Sequence, residues 1–206
     1  MNLAFKSSGT IRLAFQETSP ATIPTKISLI QLDESGQRTA EIFIFEDFAS
    51  AKSYMQSENI HYFDMIVEGT ELQEIPDGIL GGANDLVNVD IQSKVTRIGS
   101  GAFSGCTSMK GIQFPDSVQS VGNGTFSGCV SLETIQFPQG FLSFGNGAFA
   151  DCIALTEIVL PSSVATIPDT TFYGCSGITN ITIRKPQDSI SGAPWGAVNA
   201  VVTWTG

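Results

Sequence analysis

The sequence has little positive charge and almost no histidine. Ten Lys and Arg stand against twenty Asp and Glu, for a net charge of −10, and His61 is the single histidine. Nucleic acid and anionic membrane surfaces both reward Lys and Arg, so neither is an expected partner. Long apolar runs are missing as well. None approaches the ~18 residues of a transmembrane helix, which excludes membrane insertion by a helix, and residues 1–16, MNLAFKSSGTIRLAFQ, lack the basic, apolar and small-residue zones of a secretory signal. There is no phosphate-binding loop, no cluster with metal-ligand spacing and no nucleophile motif. No cofactor and no metal are expected, and the chain reads as non-enzymatic.

Cysteine is also scarce, and its placement shows what the chain does contain. Cys106, Cys129, Cys152 and Cys175 recur every 23 residues, and so do Phe103, Phe126, Phe149 and Phe172. Apolar columns follow at fixed offsets: Met109/Leu132/Leu155/Ile178, Ile112/Ile135/Ile158/Ile181 and Phe114/Phe137/Leu160/Ile183. A repeat of L-x-x-I-x-F-P at this period falls within the roughly 20 to 29 residues of leucine-rich repeats. Each repeat is then one rung of a solenoid, and neighbouring rungs bury a continuous core. The spacing puts the four thiols in a column about one strand spacing apart, roughly 5 Å, where they are expected to be buried and reduced. A straight column cannot converge on a zinc ion, which takes tetrahedral ligands.

The same ruler extends in both directions. Backwards it finds Ile75, Leu80, Ala83, Leu86, Val89 and Ile91, then Phe63 and Ile66, so the array starts near residue 61. Forwards it finds Ile190, Trp195 in the Phe column, Val198 in place of Cys175, and Val201 and Trp204 in the columns of Ile178 and Ile181. Residues 1–60 lie outside the repeat. Leu3, Phe5, Ile11, Leu13 and Phe15 read as one hairpin, and KISLIQL with EIFIFE as a second pair of strands. Phe48, Ala51 and Met55 share a helical face over 46–56, with Glu46 and Asp47 at its start. The expected architecture is a mostly-β repeat solenoid, a right-handed leucine-rich-repeat superhelix over 61–206. A small α+β unit, 1–60, caps it or attaches it, with self-association through 1–60 as one use.

Candidate binding residues come from the strands. Their outward positions line the concave side, where such solenoids usually bind; Lys110, Gln113, Glu133, Gln136 and Glu157 are its centre. Lys110 and Glu133 are placed to pair across rungs. No aromatic residue appears among the outward positions, although a sugar groove ordinarily uses one for stacking. Residues 61–91 hold seven acidic groups and no Lys or Arg. Calcium is one reading of Glu68, Glu71, Glu74 and Asp77; the plainer one pairs Glu71 with Lys94 and Glu74 with Arg97 one rung on.

The run VTRIGSGAFSGCTSMKGIQFPDSVQSVGNGTFSGCVSLETIQFP resembles the leucine-rich repeats of the BspA type, also described from treponemal surface proteins. The likeness covers about 75–183 well, 184–206 weakly and 1–60 not at all. It implies a surface or secreted protein of a bacterium that adheres to a protein or glycan partner, and it brings no catalytic residues. Similar repeats occur in bacteriophage structural proteins. A virion component, such as a phage tail or head fibre docked through 1–60, therefore stands as the alternative.

Overall fold

The structure is a computed structural model in which residues 25–57, 62–70 and 72–206 are described. The hairpin expected over residues 3–15, His61 and the Glu71–Lys94 pair lie outside the described residues or depend on one that does. Strands β1 (Lys26–Leu32) and β2 (Arg38–Phe45) form an antiparallel hairpin. In its turn Asp33 Oδ1 accepts the N–H groups of Ser35 and Gln37. Helix α1 (Phe48–Ser57) follows. Asp47 is its cap, accepting the Ser50 N–H at 2.7 Å, so Glu46 and Asp47 precede the first turn and do not lie in it. Phe48, Ala51 and Met55 are buried, as their spacing requires.

From Phe63 the chain coils. Its strands are β3 (Phe63–Glu68), β4 (Glu74–Ile75), β5 (Leu86–Ile91), β6 (Arg97–Ile98), β7 (Gly111–Gln113) and β8 (Ser120–Val121). They continue with β9 (Thr134–Ile135), β10 (Ser143–Phe144), β11 (Glu157–Leu160), β12 (Asn180–Ile183) and β13 (Val201–Trp204). Odd-numbered strands up to β11, together with β12 and β13, make the strand face. There β2-β1-β3-β5-β7-β9 form one sheet and β11-β12-β13 another. The second side is the short parallel sheet β4-β6-β8-β10, prolonged by a bridge from Ser143 to Thr166.

The third side carries the Phe and Cys columns and is bonded rung to rung as well. Phe103 N–H donates to Thr125 O at 2.9 Å, Phe126 to Ala148 at 2.8 Å, Phe149 to Thr171 at 2.9 Å and Phe172 to Trp195 at 2.9 Å. Its tight turns need left-handed backbone: Gly105 and Gly128 have φ of 72° and 75°, and Asp151 takes the same place in the next rung at φ 60°. Inside, the rings form a column: Phe103 to Phe126 at 5.4 Å between centroids, Phe126 to Phe149 at 5.0 Å and Phe149 to Phe172 at 5.9 Å. Trp195, fully buried, continues it.

The thiols are all free and buried. Each donates to a carbonyl one rung back: Cys106 to Leu80 at 3.2 Å, Cys129 to Phe103 at 3.1 Å, Cys152 to Phe126 at 3.1 Å and Cys175 to Phe149 at 2.9 Å. The Phe103 carbonyl also accepts its own rung's Cys106 N–H, at 3.2 Å. The Cys column thus ties the backbone of one rung to the turn of the last. Burial pushes the Cys106 thiol up from 9.0 to about 11 and raises Cys129 as well.

The last rung departs from the expected register, and the first is joined to the α+β unit. In the last rung Trp195 keeps the 23-residue register, but β13 does not: Val201 pairs with Asn180, Val202 with Ile181 and Trp204 with Ile183. The rung is two residues short after Trp195, so Trp204 belongs to the Ile183 column. Val198, placed in the Cys column, is 84% exposed. At the other end the α+β unit is not separate from the strand face, because β1 pairs antiparallel with β3 in the same sheet. Tyr54 on α1 packs on Phe43, Phe45 and Phe63 at 4.6, 5.4 and 6.4 Å, and Lys52 Nζ donates to the Gly81 carbonyl at 2.7 Å.

Phe126→Ala should cost about 3–5 kcal/mol in urea unfolding, since the neighbouring rings on both sides lose contact. Thiol labelling should be slow in the native chain and give four free thiols after denaturation. Because the Cys106 pKa is raised by folding, its stabilising effect is fully present below 9.0 and is lost as pH rises through about 11. The urea midpoint should fall over that interval, and fall less in Cys106→Ala.

Candidate functional site

Two grooves lie on the strand face and share Thr134, Ile135 and Gln136. The first, about 670 Å³, is lined by Arg38, Asp64, Asn88, Asp90, Gly111, Gln113, Phe114 and Gln136, among others. The second, about 450 Å³, is lined by residues including Glu133, Gln139, Glu157, Val159 and Arg184. They form a single trough across the rungs, and the trough passes the place where no ladder pair joins β9 to β11 among the described residues.

The residues expected from sequence are divided between them. Gln113 and Gln136 line the first groove, Glu133, Gln136 and Glu157 the second, and exposed Lys110 lines neither. The expected Lys110–Glu133 pair is not formed: both side chains stay exposed with no ion pair between them. Two long side chains in water gain too little from pairing to fix one geometry.

The most ordered part of the trough was not among the expected centre. Asp64, on β3, is 5% exposed although it carries a carboxylate. Both oxygens are occupied: Arg38 Nε donates to Oδ2 at 2.8 Å and Asn88 Nδ2 to Oδ1 at 2.8 Å. A buried carboxylate is tolerable only when bonded in this way. Arg38 comes from β2 and crosses β1 to reach it, so the α+β unit supplies one wall of the groove. Asp90 Oδ2 accepts from Gln92 Nε2 at 2.7 Å.

Phe114 is the second omission. Its column places it inward with Phe137, Leu160 and Ile183, yet it is only half-buried and lines the first groove, while those three are buried. Its ring stands at 6.1 Å from Phe126 and 6.2 Å from Phe137, tilted to both. The outward-position count therefore missed an aromatic surface that the groove does contain.

Members of the acidic run are held by cations. On the second side Glu74 and Asp77 bond to Arg97 at 3.0 and 2.9 Å, and at the start of the strand face Glu68 bonds to Lys26 at 3.1 Å. Asp77 is kept below the ordinary carboxylate range, first by the Ser100 N–H and then by Arg97. The Glu74–Arg97 pairing is as the repeat register requires. Among the described residues no group of three or more His, Cys, Asp or Glu is placed to hold a metal ion.

Three parallel ladders at a fixed rung length define a leucine-rich-repeat solenoid. The chain belongs to the family described as BspA type Leucine rich repeat region, which matches residues 73–193 in 6 copies. Among solved structures, the leucine-rich repeat protein of T. pallidum is 26% identical, over 69% of this chain and 74% of that one, with a TM-score of 0.56. A leucine-rich cell surface protein from Faecalibacterium prausnitzii is 28% identical over 63% of this chain, with a TM-score of 0.58. This chain spans 36% of that protein's length. No curated protein matches.

Arg38→Ala should destabilise the chain by about 1–3 kcal/mol, since it leaves the buried Asp64 with a single partner. Arg38 is itself more than half exposed, which places the loss toward the lower figure. Arg97→Ala, on an exposed network, should cost less; urea unfolding of both variants checks the order.

Proposed function

We propose that the chain is a non-enzymatic binding module that presents its strand face to a partner at a bacterial cell surface. The observation that carries this is the trough: polar side chains from successive rungs stand on two adjoining sheets, held at one strand spacing within each. A face so constrained meets a partner without first losing its own freedom. The solved relative from F. prausnitzii, described as a cell surface protein, supports the location. Among the described residues no helix is long and apolar enough to cross a membrane.

The α+β unit has two parts in this reading. It covers the first rung through α1, and it adds Arg38 to the site. The outer turns instead carry scattered apolar side chains such as Ile153, Leu142 and Tyr173.

The grooves are lined by only two aromatics, half-buried Phe114 and buried Phe137, so a single copy should bind in the micromolar range or weaker, about −8 kcal/mol at most, and gain when several copies act together. Adhesion of beads coated with the chain to bacterial and host cells tests the reading. Lys110→Glu and Glu133→Lys should each reduce adhesion while leaving the urea midpoint near wild type. If adhesion survives both and is lost instead on changing Tyr173 or Ile153, the strand face is not the recognition surface.

A further inference from the structure

We propose that the first groove is a saccharide subsite built around Gly111 and takes an uncharged sugar chain. This rests on the reading of the strand face as the recognition surface. Gly111, the first residue of β7, is the one glycine that belongs to a strand among the described residues. Its φ lies outside the left-handed region, and a Cβ there would meet Asn88 Oδ1 at 3.5 Å, an ordinary contact. Other repeat glycines differ. A Cβ at Gly122 would strike the Ser100 backbone nitrogen at 2.5 Å, and Gly101 has φ 60°. Glycine weakens a strand, yet at 111 neither backbone conformation nor crowding asks for it. What it provides is open space over the sheet, at a rung where the neighbouring positions carry Asn88 and Thr134. Gly111 opens β7 in the regular parallel register with β5 and β9, so of the usual reasons for a strand glycine we take close approach of another molecule instead of a bulge.

The surroundings of that space define the ligand. Asn88 gives its N–H to Asp64, which Arg38 holds, so its Oδ1 is fixed beside Gly111 as an acceptor. The ligand must therefore bring a donor. Gln113 and Gln136, on successive rungs, each offer both a donor and an acceptor. Half-buried Phe114 adds an apolar surface. Arg38 and Asp64 cancel in charge, leaving Asp90, and a negative site repels uronic, sulfated or phosphorylated chains. The backbone of β5 and β7 is committed to the ladder on both edges, so a peptide cannot add as a strand beside Gly111. Sugar rings, whose hydroxyls both donate and accept and whose C–H faces are apolar, match the set.

The test is NMR titration of the intact chain with soluble gluco-, galacto-, manno- and xylo-oligosaccharides, each taken to about 10 mM to reach weak affinities. At least one should shift the signals of Asn88, Gly111 and Gln113. Gly111→Thr, a residue suited to strands, should bind that sugar about tenfold or more weakly because the side chain fills the ligand's space, with a melting temperature equal to wild type or higher. Gly111→Ala keeps the test if the threonine variant does not fold. Phe114→Leu should weaken binding by about fivefold through loss of the aromatic surface. The proposal is overturned if no neutral oligosaccharide binds, if only acidic sugars or peptides do, or if Gly111→Thr binds as wild type. Absence of sugar binding with adhesion still sensitive to Lys110→Glu removes the saccharide alone. Adhesion insensitive to every strand-face change removes the underlying reading.

Discussion

Everything in this molecule depends on the rung-to-rung backbone ladder. A 23-residue rung, one residue longer between β3 and β5 and two shorter before β13, places each strand, each short outer strand and each Phe-bearing turn beside its counterpart, so N–H and C=O groups find partners on three sides. With the backbone satisfied, the interior can be filled by identical side chains in columns. The thiols do more than fill space, since each adds a bond to a carbonyl of the preceding rung. The same constraint fixes the strand face: outward side chains have no choice of register, and a partner meets a grid.

Much of the fold was legible because it is written in phase. Phe103, Phe126, Phe149 and Phe172 are all buried where their shared offset put them, and the repeat traced from Phe63 to Trp204 carries the strands β3, β5, β7, β9, β11, β12 and β13 of the strand face. The ruler failed where the rung length changes: Val198 and Val201 were assigned inward by counting, but the last rung closes two residues early. Offset also says nothing of how far a column is covered. Phe114 shares the column of Phe137, Leu160 and Ile183, yet its ring reaches the groove. Arg38 and Asp64 were missed for another reason. One lies outside the repeat and the other in the first, atypical rung, and only the pairing of β1 with both β2 and β3 brings them together.

The proposed site draws on what those two residues do. Asp64 is the one buried carboxylate among the described residues, beside the smaller hydroxyls of Ser28, Ser93, Thr125 and Thr171, and polar groups bonded on both sides in this way usually fix an orientation. Here they aim an amide of the next rung into the trough, next to a glycine that no local geometry demands. The N-terminal unit is then part of the site as well as a cover for the first rung.

The central claim is that recognition happens on the strand face and not on the outer turns. Hydroxyl-radical footprinting of the intact chain, free and on the cells to which it adheres, addresses this directly because reactive side chains stand on both surfaces. Phe114 lines the groove, whereas Tyr173, Ile153 and Leu142 are exposed away from it. The account predicts that Phe114 is protected on adhesion while Tyr173, Ile153 and Leu142 keep their reactivity; protection of those three with Phe114 unchanged would contradict it.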